Sequence, residues 1–166
     1  MELISADSAG PSSGIFLLDL NEESPKPVKL VLEGEHMPAE FHPHGMTQWV
    51  TAKEGKEELL LYVISHRMEE DVIEAFEYKP EAKKLLHRAT IQDSLYGSIN
   101  NVVAVGTDRL YITVERYFKN PILQQLELYL RLPLGFVAYY DPWDEMKVAS
   151  EGLKFPNGIE KSKDGR

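Results

Sequence analysis

Cysteine is absent from all 166 residues, which excludes disulfides and thiolate metal sites within the chain and leaves its compartment open. Long apolar runs are missing too. None approaches the 18 residues or so that suggest a membrane-spanning helix. The opening MELISADSAG has an acidic residue at position 2 and no apolar core, so it does not read as a signal peptide. Basic residues are the minority, 18 against 27 acidic ones, for a formal charge of −9. That argues against a nucleic-acid partner, which needs a basic face to displace counterions. There is no Asn-x-Ser/Thr sequon and no phosphate-binding glycine loop.

What remains is an ordinary globular composition, 43% hydrophobic and 27% charged, long enough for one domain with a core. Most of it reads as short strands between turn residues. The runs are Gly14–Leu20, Val28–Leu32, Met46–Thr51, Leu59–Ser65, Val72–Tyr78, Lys84–Ile91, Asn101–Val105, Leu110–Val114, Phe136–Tyr140 and Met146–Ala149. Such spacing predicts an all-β sandwich, barrel or propeller. One segment differs. Asn120 as a cap, Pro121 at the first helical position and the stripe Ile122, Leu123, Leu126, Tyr129 and Leu130 predict one inserted helix over 121–131.

A period decides between the β architectures. His44 in "HPHGM", Asn101 in "INNVV" and Gly158 in "FPNGIE" stand 57 residues apart, step after step. Each marks a polar, turn-prone cluster ahead of an apolar residue. Four strands in a repeat of this length suggest a propeller blade. The expected fold is therefore an incomplete β-propeller over 1–166: about two complete blades, parts of two others and the inserted helix.

In a propeller the first strand of each blade lines the central channel. The period would then gather His44, Asn100, Asn101 and Asn157 around one cavity mouth. Asparagine carbonyls are hard oxygen donors suited to Ca²⁺. A histidine there is a candidate general base, because its ordinary pKa lies near neutrality. The plainer alternative is that Asn and Gly only make the turns at these places.

Several segments together resemble the paraoxonase family of calcium-dependent lactonases and arylesterases: "LLDLNEESP", "FHPHGM", "LLYVISHR", "SINNVVAVG", "YFKNPILQQLELYL", "VAYYDP" and "EGLKFPNGIEKSKDG". The resemblance covers nearly the whole chain and implies a six-bladed propeller. It also implies a catalytic Ca²⁺ near the top of the central tunnel, with Asn100 and Asn157 among its ligands and Asn101 and Met46 in the wider metal set. His44 matches the proposed base that activates water, and His66 the histidine that relays its proton. Helix 121–131 matches one thought to meet substrate and a lipid or membrane surface. An extracellular or membrane-associated location is implied in the same way.

Some positions depart from the family pattern. Asn101 stands where an aspartate on a second, structural calcium is usual, and Glu115-Arg116 replaces a common Asp-His pair. Ser65 stands before His66 where asparagine is usual. The Asp-Asn ligand pair of a later blade is not in this chain. These departures leave two other readings open, a non-catalytic assembly factor or chaperone of the same family, or an inactive fragment.

Other signals are weaker. "GPSSG" at 10–14 matches G-x-S-x-G in letters only: it precedes a strand and follows none, so Ser12 reads as a loop residue. His42 and His44 could chelate zinc with His66, against the reading of His42 as a solvent-facing turn residue. His36 and His87 read as surface residues. The stretch Met68, Glu69, Glu70, Asp71 reads as a solvated turn, and Trp49 and Trp143 as packing groups.

Overall fold

The computed structural model describes residues 2–6, 13–35, 40–68, 70–94 and 97–164. Among the described residues strands dominate and a single helix interrupts them. The class is all-β, as the spacing of turn residues predicts. His36 and Ser12 lie outside the described residues.

The strands form three sheets. The first has β1 (Glu2–Ala6), β2 (Gly14–Leu18) and β3 (Val28–Lys29), in that order. In the second, β5 (Pro43–Lys53), β6 (Lys56–His66), β7 (Asp71–Lys79) and β8 (Lys84–Ile91) run up and down, each antiparallel to the next. The short β4 (Val31–Glu33) joins its outer edge parallel to β8. The third is another four-stranded meander, β9 (Ser98–Gly106), β10 (Arg109–Arg116), β11 (Gly135–Tyr140) and β12 (Lys147–Leu153).

Three differences from expectation have physical reasons. The run Val28–Leu32 is two strands, because Leu30 turns inward, is buried and donates its N–H to Ile15 O at 2.9 Å. The chain thus changes sheets in a single residue. The hairpin β5–β6 is longer than its apolar centre, since backbone pairing continues through the half-buried Thr51–Glu58 and the exposed Ala52–Glu57 partners to a two-residue turn. Glu54 and Gly55 both have positive φ there, 52° and 76°, the geometry that matches the twist of a tight hairpin. Finally, β1 falls in a segment too short and too mixed to read as a strand.

The second sheet is buried on both faces. Leu60, Tyr62, Ile64 and Ile73 pack against the third sheet's Ile99, Val102, Leu110 and Ile112. Leu61, Val63 and Phe76 face the other way, onto Ile15, Leu17 and Leu30. This is why 59–64 is an uninterrupted apolar run: a strand with two dry faces has no side to leave polar. Tyr62 keeps one polar partner, donating its hydroxyl proton to Asp108 Oδ1 at 2.9 Å and accepting from Asp108 N at 2.8 Å. Burial pushes its phenol well above the ordinary tyrosine value. Trp49 packs on the first of these cores. Trp143, expected to pack, is instead 88% exposed on the β11–β12 turn.

The 57-residue period has a spatial counterpart. Strands β5 and β9 lie side by side, and Ala104 N donates to Thr47 Oγ1 at 3.2 Å across 57 residues of sequence. One period is one step from a sheet to its neighbour.

The helix α1 (Pro121–Leu130) is capped by Asn120, whose side chain accepts from Ile122 N and Leu123 N at 2.9 and 3.2 Å. It ends at Arg131, in the left-handed region at φ 51°. Its apolar stripe does not face the core. The inward residue is Glu127, which is buried and accepts from the backbone of Tyr117 at 3.1 Å, while Ile122, Leu126, Tyr129 and Leu130 face outward. A carboxylate, not a greasy face, docks this helix.

Candidate functional site

Two irregularities lie near the same end of neighbouring strands. On β5 the pairing to β6 slips between Pro43 and Met46, so His44 and Gly45 occupy a bulge. On β9 the pairing to β10 slips around Asn100, with Asn101 opposite Thr113 and Ile99 opposite Val114. A bulge re-aims side chains out of the regular alternation. Here the re-aimed residues are His44 and Asn100, two of those singled out by sequence.

The two strands approach closely at this point. A methyl group built on Gly45 would lie 2.7 Å from both Asn100 O and Asn101 Oδ1, so glycine is what lets β5 pass. On the other side, a methyl group on Gly158 would stand 3.7 Å from Asn101 Nδ2. The three period positions, 44–45, 100–101 and 157–158, are therefore adjacent, with Asn101 between the other two.

His44 and His66 come together, their rings 4.9 Å apart between centroids and tilted by 56°. His66 ends β6. Its backbone N–H donates to His42 O at 3.1 Å, and Ser65 Oγ accepts from His42 N at 3.0 Å. These bonds tie the segment before β5 to β6 and make His42 a half-buried part of the turn. His66 Nδ1 sits 2.7 Å from Asp71 Oδ1, and Asp71 Oδ2 accepts from Ile99 N at 2.9 Å. Asp71 is thus the first residue of β7, with its side chain 12% exposed, and is not part of a solvated turn. The reason is register: His66 and Asp71 are cross-strand partners at the open end of the β6–β7 hairpin.

The asparagines are held by their own neighbours. Asn100 Nδ2 donates to Glu115 Oε2 at 2.9 Å, which commits the amide's donor side and turns its oxygen away from Glu115. Asn101 accepts from Val102 N at 2.8 Å through Oδ1. Asn157 is exposed and its Oδ1 accepts from Gly158 N at 3.0 Å. Met46 sends its side chain onto the second core, so the oxygen it can offer a cation is its carbonyl. Among the described residues no three His, Asp or Glu side chains cluster as a metal site; neither the zinc reading nor a carboxylate-rich calcium shell has such a cluster behind it.

Two cavities flank this region. One of about 370 Å³ is lined by Glu115, Arg116, Glu127, Arg131, Lys154 and Phe155. The other, about 230 Å³, includes Asp71, Ser98, Lys119 and Gln124. Asp71 and Glu115 each face a cavity while bonding a site residue. Sequence reasoning passed over Asp71; the available signal was its place across a short hairpin from His66.

His87, expected at the surface, has a side chain only 4% exposed, with Nε2 2.8 Å from Glu74 Oε2. A bulge between Ala75 and Phe76 in the β7–β8 pairing lies beside it.

Comparison with known proteins gives one consistent answer. The family model described as Arylesterase matches residues 3–166. The chain is 39% identical over 153 residues to serum paraoxonase/arylesterase 1 of Homo sapiens, covering 92% of this chain and 42% of that protein. It is 37% identical over 151 residues to serum paraoxonase/arylesterase 2 of Bos taurus, covering 91% and 42%. Serum paraoxonase/lactonase 3 of Oryctolagus cuniculus is 33% identical over 150 residues, covering 90% and 41%. The chain spans less than half the length of these relatives.

Proposed function

The chain belongs to the arylesterase family, and on that premise we propose that the protein carrying it hydrolyses aryl esters and lactones with Ca²⁺ as cofactor. The observation that carries this reading is the His44–His66 ring pair at 4.9 Å, set in a bulge beside the Asn100–Asn101 corner. In the same reading the two four-stranded meanders, β5 to β8 and β9 to β12, are successive blades of a six-bladed propeller, of which residues 1–166 form part.

The donor chemistry fits calcium in kind. Asn100 Oδ1, Asn157 Oδ1, Asn101 and the Met46 carbonyl are hard neutral oxygens, and Ca²⁺ takes about six to eight such ligands. Glu115, bonded to Asn100, adds a negative charge beside it. These residues make up part of a shell, with the remaining oxygens coming from outside this set. When bound, the cation polarises the substrate carbonyl as a Lewis acid. The chain's own residues do the rest. His44 takes a proton from the attacking water, and His66 accepts it from His44. Glu115 holds the Asn100 amide so that its oxygen, not its nitrogen, is presented.

The test is hydrolysis of phenyl acetate and a simple δ-lactone by the intact protein that carries these residues, with calcium and with chelator. Turnover that chelator abolishes and calcium restores is the expected result. A folded protein inert in both conditions overturns the enzyme reading and leaves the assembly-factor one.

A lipid surface is part of the proposal through α1. Its ten residues are too few to cross a membrane, yet Ile122, Leu126, Tyr129 and Leu130 are exposed together. Such a face suits the boundary between headgroups and acyl chains. Ile122→Glu with Tyr129→Glu is expected to lower the partition coefficient onto phosphatidylcholine vesicles, read by co-sedimentation, by about a hundredfold or more, since each buried apolar side chain contributes roughly 1.5–3 kcal/mol. Equal sedimentation of wild type and variant would remove α1 as the contact.

A further inference from the structure

We infer that Asp71 is a positioning residue for His66, fixing the imidazole with its proton on Nδ1 and its lone pair on Nε2. The carboxylate is held at both oxygens. Oδ1 lies 2.7 Å from His66 Nδ1, and Oδ2 accepts the Ile99 backbone N–H at 2.9 Å. An ionised carboxylate only accepts, so the nitrogen facing it carries the proton. His66 is anchored from the other side as well, through its own N–H to His42 O at 3.1 Å. The residue's backbone is therefore fixed at the end of β6, and its tautomer is set by β7.

The consequence for chemistry rests on the hydrolase reading just given. Nε2 is the basic nitrogen of this tautomer, and the His44 ring lies 4.9 Å away between centroids. A proton leaving His44 is received at Nε2, and the imidazolium so formed stands against the Asp71 carboxylate. The opposite tautomer would present Nε2–H and receive nothing. The bond from Asp71 Oδ2 to Ile99 N also ties this pair to β9, one residue before Asn100. The carboxylate thus sets the histidine pair and the asparagine corner in one frame.

The test separates tautomer from turnover. In the intact protein labelled with ¹⁵N-histidine, ring ¹⁵N–¹H correlation spectra of neutral His66 are expected to show a protonated Nδ1 and an unprotonated Nε2. Nε2–H in the wild type would overturn the inference without any variant. Asp71→Asn, whose amide can donate to Nδ1, is expected to shift His66 to the Nε2–H form. It should also lower kcat about tenfold to a hundredfold, within the ~10²–10⁴ that a positioned proton acceptor contributes, while KM stays within about twofold. Asp71→Glu is expected to recover part of the loss. In a His66→Gln background the same Asp71→Asn change should cost nothing more, because residues that act as a unit are not additive. An unchanged tautomer in Asp71→Asn, or a full additional loss in the His66→Gln background, would overturn the assignment. A wild type with Nδ1–H and no esterase activity would sink the hydrolase reading alone and leave the Asp71–His66 positioning standing.

Discussion

His44→Gln is expected to lower the rate of aryl-ester and lactone hydrolysis by about 10²-fold or more, the usual weight of a general base. Glutamine is close to histidine in size and still hydrogen-bonds, so the variant isolates basicity. The position tolerates the exchange sterically, because His44 is exposed at the mouth of β5 and takes no part in either core. Its neighbour Gly45 is the residue under steric constraint, facing Asn100 O and Asn101 Oδ1. Folding and calcium affinity should therefore match the wild type, and the loss should fall on kcat. Rates measured for both proteins under saturating substrate and calcium decide it. Equal kcat would remove His44 from the mechanism and leave His66 to be tested as the base.

How much of this was legible in sequence depends on which interaction set each feature. The strands of the second and third sheets follow from local patterning, and the helix from Asn120 and Pro121, whose capping works over three residues. The period was legible because the second and third sheets repeat the same four-stranded meander. Thr47 and Ala104 turn that period into a contact. What escaped depends on register. The bulges at His44–Gly45 and Asn100 shift side chains by one position against their partners, and no composition rule marks where a ladder slips. Asp71 and His87 look solvated beside charged neighbours, yet pairing of β6, β7 and β8 carries both inward. The orientation of α1 is set in the same way: Glu127 accepts the Tyr117 backbone N–H, so the carboxylate takes the inner side and the apolar stripe the outer one. The metal-set residues were placed by resemblance, and the geometry adds their adjacency around Asn101 without adding a cation.

Glu74→Ala is expected to destabilise the protein by about 3–5 kcal/mol, the usual cost of breaking a buried ion pair from one side. Glu74 lies in the middle of β7 with no exposed surface, on a strand whose other inward residues are apolar. Its carboxylate is bonded to Arg67, to His87 Nε2 at 2.8 Å and to the Thr90 hydroxyl, which donates at 2.7 Å. Removing it leaves Arg67 and the buried His87 ring without this partner, while the exposed Thr90 hydroxyl can turn to water. Arg67 suffers most, because its Nε is already buried without a hydrogen-bond partner among the described residues and its charge would lose its counterion. Glu74→Gln keeps the shape and can still accept from Thr90, so it should cost less, about 1.5–3 kcal/mol for the lost charge-assisted bonds. The comparison matters more than either number. Replacing Glu74 and Arg67 together by leucine and methionine should recover most of the loss, since an apolar set of similar volume needs no desolvation. Urea unfolding of the three variants, read as a shift of midpoint at constant slope, orders them. If Glu74→Ala unfolds within about 1 kcal/mol of the wild type, water reaches this carboxylate and the dry face of β7 is not as closed as Phe76 and Tyr78 beside it imply. If the paired replacement is no better than the single one, the cluster contributes geometry to the β7–β8 bulge that apolar side chains cannot replace.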